Sequence, residues 1–133
     1  MRQLLIITTF LSSMIMSSVA YAKWTEIGKN VGETIYFVDL ERSKKHSGKI
    51  YYWMIVDYLK HDASGTISHQ SYYEAECGRF RYRNLSGMYY KDRMASGEVI
   101  SSNNTPDKDW TYPPPNSVIE SVLTAVCNHK TMQ

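Results

Sequence analysis

The sequence predicts an α+β domain: a single antiparallel β-sheet of about five or six strands, with one C-terminal helix packed on one face and joined to it by a disulfide. Three observations carry that expectation. Runs rich in β-branched and aromatic residues recur from Trp24 to Ser101, each bounded by turn-forming residues. Helical periodicity is concentrated after Ser117. The two cysteines, Cys77 and Cys127, stand one in each part.

Taken in order, Trp24 to Ile27 reads as a short first strand and Gly28 to Gly32 as a turn. Thr34 to Leu40 is a second strand, bounded by Gly32 and by a charged cluster from Glu41 to His46. Ser47-Gly48 turns the chain. Lys49 to Lys60 is the strongest strand signal, because Ile50, Tyr51, Tyr52, Trp53, Met54, Ile55, Val56 and Tyr58 make it apolar on both faces. Such a run belongs in the middle of a sheet. In Thr66 to Cys77, residues Ile67, Tyr73, Ala75 and Cys77 share one face while Gln70, Glu74 and Glu76 share the other. With Cys77 toward the core, those glutamates are expected to face water. After Gly78, Arg79-Phe80-Arg81-Tyr82-Arg83 alternates strictly and continues toward Tyr90, and Ser96 to Ser101 is a last short strand.

Ser102 to Pro115 is polar and proline-rich and reads as a connection, ordered or flexible. Ser117 and Glu120 then stand at the S-x-x-E spacing of a capping box. Val118, Ile119, Val122, Leu123 and Val126 form one apolar stripe that Cys127 closes.

Residues 1–22 read as a cleaved secretion signal. Met1-Arg2 supplies the charged start, an apolar stretch runs from Leu4 to Met16, and Ala20-Tyr21-Ala22 is a small-x-small cleavage site. A spanning helix needs about 20 consecutive apolar residues, and this run is broken by Thr8, Thr9, Ser12 and Ser13. No cysteine lies near the cut, so a lipid anchor at that point is not expected. Residues 23–133 suit one domain. In an oxidising compartment an even pair of cysteines is most simply a structural disulfide, and closing a loop of about 50 residues stabilises by roughly 4 kcal/mol. Zinc binding by the two thiols is the weaker alternative, since zinc ligands usually come in close pairs.

Lys+Arg number 15 against 13 Asp+Glu, and loss of Arg2 with the leader brings the balance closer still to neutral. A nucleic-acid binder would show a clear basic excess. No nucleophile elbow, phosphate loop, H-E-x-x-H helix or cofactor motif is present. His61, Asp62 and His69 flank one hairpin and are the metal candidates, though loop solvation accounts for them as well. Glu74 and Glu76 are spaced for acid–base work, against the simpler reading of a solvated strand face. Arg79, Arg81 and Arg83 point the same way along a strand, about 7 Å apart, and with Lys91 and Arg93 they are the candidate partner-binding patch. Eleven tyrosines and three tryptophans add recognition chemistry, although Tyr52 and Trp53 read as core or sheet packing.

The Lys23-Trp24-Thr25-Glu26-Ile27-Gly28 start, the strands Tyr36 to Leu40 and Tyr51 to Tyr58, the run Ser71 to Cys77, Arg79 to Arg83, Gly97 and Pro113-Pro114-Pro115-Asn116-Ser117-Val118 together resemble the surface-adhesin protein E-like family of bacterial exported proteins. The likeness spans essentially the whole chain after the leader and lies in order and spacing. It implies a compact antiparallel sheet with a C-terminal helix held by the disulfide. It also implies a non-catalytic adhesin that holds host extracellular-matrix or serum proteins at the cell surface. One departure is that the family's adhesin is a lipoprotein, whereas no cysteine stands at this cleavage site. The expectation is therefore a periplasmic or secreted envelope protein that binds a protein partner through an exposed sheet face. The alternative is a periplasmic small-ligand binder or an enzyme of unrecognised type.

Overall fold

The structure is a computed structural model that describes residues 23–131. The secretion signal read from residues 1–22 lies outside the described residues. Seven strands precede one helix: β1 Thr25–Lys29, β2 Ile35–Val38, β3 Lys44–His46, β4 Lys49–Asp57, β5 Ser68–Glu76, β6 Arg81–Asp92, β7 Ser96–Asn103 and α1 Val118–Thr131. They form one antiparallel sheet in the order β1-β2-β4-β5-β6-β7, with β3 also paired to β4. The expected α+β architecture is what the chain adopts.

The apolar run of β4 is central, as its composition requires. One edge of β4 is shared: β2 pairs with Met54 to Asp57 and β3 with Lys49 to Tyr51. The three-residue β3 lies inside the charged cluster, where no hydrophobic alternation marks a strand. It exists because Ser47 and Gly48 both take positive φ, 50° and 75°, the backbone that a two-residue hairpin turn demands.

The helix lies on one face. Val38, Ile50, Tyr52, Met54, Val56 and Ala75 from the sheet meet Val122, Leu123, Val126 and Cys127 from α1. Gly28 lets the helix start close to β1, since a β-carbon there would sit 3.3 Å from Val118 Cγ1. At the other end Cys127 is bonded to Cys77, just past β5. Ser117 caps the helix as the spacing predicts, with the Glu120 N–H donating to its Oγ at 3.1 Å, while Glu120 Oε1 accepts from the N–H of Asn116, one residue before the cap, at 3.3 Å.

The connection between β7 and α1 is ordered. Thr111 bridges to Tyr82, and the Asp107 N–H donates to Asn84 O, so the segment follows the outer edge of β6 where β7 has ended. Three prolines then carry the chain from that edge to the helix start beside β1; their fixed φ suits an extended crossing.

This path corrects one expectation. Glu74 and Glu76 do lie on the face away from the helix, but Glu74 does not face water: it is 3% exposed. The returning segment places Trp110 over that part of the sheet, among the side chains of Lys49, Arg81 and Arg83.

Candidate binding surface

Because β4 is apolar on both faces and α1 is the one helix among the described residues, half of its side chains have no described helix to pack against. Tyr52, 2% exposed, joins the core under α1, whereas Tyr51 and Trp53 point the opposite way and remain half-buried. Tyr72 of β5 sits across from Trp53 in the register. The Trp53 and Tyr72 rings stack with centroids 4.7 Å apart, and Tyr51 lies 6.1 Å from Tyr72. These three rings form a short aromatic row on the helix-free face.

A hollow flanks the row on each side. One, of about 410 Å³ and open to solvent, is lined by Lys44, Lys45, His46, Tyr51 and Tyr72. The other, of about 130 Å³, is lined by Trp53, Gln70, Ser86, Gly87, Met88 and Asn104. The side chains on β3 are exposed, and the register sets Lys44 opposite Tyr51 and His46 opposite Lys49, so these two stand at one end of the row, whereas Lys45, opposite the core residue Ile50, belongs to the helix side of the strand. Neither hollow is an enclosed chamber with converging acid–base groups.

Next to the row stands a basic cluster. Arg81 and Arg83 each place their guanidinium carbon 4.7 Å from the Trp110 ring centre, and Lys49 Nζ lies 5.4 Å from it. Arg83 Nε donates to the buried Glu74 carboxylate, which also has Lys49 at 3.9 Å and the Tyr51 hydroxyl as neighbours. The hydrogen bond from Arg81 to Glu76, 2.9 Å long, holds the Glu76 carboxyl below the usual carboxylate range. Arg81 and Arg83 thus spend their charge on two glutamates and a ring.

Arg79 departs from the strand ladder. It lies in the turn before β6, 67% exposed, and pairs with Glu76 at 3.2 Å. Lys91 and Arg93 are at the far end of β6 and beyond it; Lys91 is ten residues from Arg81, roughly 33 Å along a strand. Arg93 donates to the carbonyls of Tyr58 and Leu59 at 2.8 and 3.2 Å, tying down the chain after β4, and Lys91 pairs with Glu98 at 3.7 Å. The five cations read together from the sequence therefore belong to two separate places.

The metal candidates are also engaged separately. His61 bonds the Lys91 carbonyl at 3.0 Å, and Asp62 accepts from the N–H groups of Ser64 and Thr66. His69 shares a 2.8 Å hydrogen bond with the Tyr58 hydroxyl and sits between the Tyr58 and Tyr89 rings. Burial pushes its imidazole down to about 4 and the Tyr58 hydroxyl up to about 12. Among the described residues no group of three His, Cys, Asp or Glu side chains is placed to hold a metal ion.

Residues 24–128 match the family model of the surface-adhesin protein E. The chain belongs to that family. Solved structures of Haemophilus influenzae protein E share the fold of this surface-adhesin protein E relative. One aligns with a TM-score of 0.62 at 13% identity, covering 85% of this chain and 89% of that one. A second crystal form aligns with a TM-score of 0.61 at 14% identity, covering 81% and 89%. Protein E from a non-typeable strain aligns with a TM-score of 0.58 at 13% identity, covering 84% and 79%. No curated protein matches the chain by sequence. Among the described residues no helix is long and apolar enough to cross a membrane.

The aromatic row is what the sequence reading missed. Its signal was present in β4, where Tyr51 and Trp53 alternate with Tyr52 and Met54. A single helix can cover only one of those two sets.

Proposed function

We propose that this member of the surface-adhesin protein E family is an exported, non-catalytic envelope protein that holds a protein partner on the helix-free face of its sheet. In this reading residues 1–22 are removed on export. The domain from residue 23 onward then works in the periplasm or outside the cell, without a lipid anchor. Host extracellular-matrix and serum proteins are the partner class that the family's name as a surface adhesin supports.

The observation that carries the reading is the uncovered Trp53–Tyr72 stack, with Tyr51 beside it and exposed cations at its end. Half-buried aromatic rings with a polar rim are the composition of a recognition surface. Open hollows suit a macromolecule more than an enclosed small ligand.

The test uses two variants of the disulfide-bonded protein against a panel of immobilised matrix and serum proteins. Lys44→Glu with Met88→Arg alters the helix-free face at exposed positions, and Ser121→Arg with Thr124→Arg alters the outer side of α1. Binding weakened at least about tenfold by the first pair alone is the expected result. Loss of binding with the second pair and not the first would move the site to the helix.

A further inference from the structure

We propose that the occupant of this face is a sulfated glycan chain, lying across Tyr51, Tyr72 and Trp53 with an anionic group at Lys44; this rests on the reading of the face as the binding surface. The protein partner is then one that carries such chains.

Three features of the face point to a sugar chain. The apolar part is a row of flat, half-buried rings. Flat rings present broad apolar faces to the C–H side of a pyranose. The two hollows lie on either side of the stacked Trp53–Tyr72 pair, so a linear chain resting on the pair reaches both.

The polar groups around the row fit hydroxyls. Gln70 and Asn104 line the smaller hollow with Ser86, and amide and hydroxyl groups both donate and accept, as each sugar hydroxyl does.

The charge is placed for sulfate. Lys44 is exposed and has no ion pair among the described residues, in contrast to Lys49, Arg79, Arg81 and Arg83, all of which face Glu74 or Glu76. An ammonium group is a point charge that satisfies sulfate or carboxylate without the forked geometry a guanidinium imposes. His46 adds a second basic side chain on the same side of that short strand.

The test titrates the disulfide-bonded protein with heparin, chemically desulfated heparin and poly-glutamate, following heat and the tryptophan indole NMR signals. Expected are saturable heparin binding that weakens as salt rises, and a loss of at least about threefold with Lys44→Ser. The Trp53 indole signal moves and that of Trp24 stays. Equal binding of poly-glutamate and heparin would overturn the glycan in favour of an acidic peptide. Equal binding of heparin and its desulfated form, or no effect of the Lys44 change, would overturn it as well. If heparin fails while a matrix or serum protein still binds this face, the glycan assignment falls and the face stands; if both fail, both readings fall.

Discussion

Glu74 of β5 and Arg83 of β6 stand directly opposite each other in the sheet, and their side chains join in an ion pair under the Trp110 ring. The carboxylate is buried while the guanidinium is 26% exposed, so the arginine works mainly to satisfy an acid that water cannot reach. Replacing Arg83 by Met leaves Glu74 with Lys49 at 3.9 Å and the Tyr51 hydroxyl. The expected cost is about 2–3 kcal/mol in urea unfolding, and Glu74→Gln in the same chain should recover part of it. Changing Arg79, Arg81 and Arg83 together would therefore disturb the fold as well as any binding.

His69 sets a pH dependence. Its imidazole has an ordinary value of 6.5 and is pushed down to about 4 by burial, so the folded protein holds it neutral. Above pH 6.5 neither state binds the proton and the full contribution is present. As pH falls from 6.5 toward 4 the unfolded chain takes up a proton that the folded one refuses, and stability drops by up to about 1.4 kcal/mol per pH unit. Urea midpoints measured at pH 7 and pH 5 should differ in the native protein, and His69→Gln should flatten that difference. A variant with the native slope would assign the loss to other groups.

The turn between β6 and β7 is built from the wrong residues for its shape. Met94 and Ala95 both take positive φ, 56° and 53°, where Asn-Gly is the favoured pair. The backbone stays there because the Met94 N–H donates to the buried Asp57 at 2.8 Å and the Ala95 N–H to Ser68 at 3.0 Å. Met94→Asn/Ala95→Gly keeps both bonds and should raise stability by roughly 1 kcal/mol, read as a higher thermal midpoint.

The Cys77–Cys127 bond closes a loop with a sequence separation of 50. Its replacement by two serines should cost about 4 kcal/mol on the chain-entropy account, a large share of a small domain's stability. Helical signal in circular dichroism should persist at low temperature, since the stripe of Val122, Leu123 and Val126 still has its apolar face to bury.

Much of this was legible in the residues. The strand β4, the helix cap at Ser117, and the pairing of Cys77 with Cys127 follow from local pattern and compartment. What local pattern cannot show is which loop returns to cover which face. Glu74 was assigned to the right side of the sheet and the wrong environment, because Trp110 comes from 36 positions further along the chain. The basic run misled for a related reason: alternation fixed the direction of Arg81 and Arg83, but their partners come from β5 and from the returning segment. β3 escaped notice because a three-residue charged edge strand has no hydrophobic alternation to read.

If recognition takes place on the face that α1 leaves open, a photo-crosslinking residue installed at Gln70 on that face will capture matrix or serum proteins presented to the disulfide-bonded protein, and one at Thr124 on the outside of α1 will not. A covalent adduct from position 70 and none from position 124 is expected. An adduct from position 124 with none from position 70 would place recognition on the helix instead.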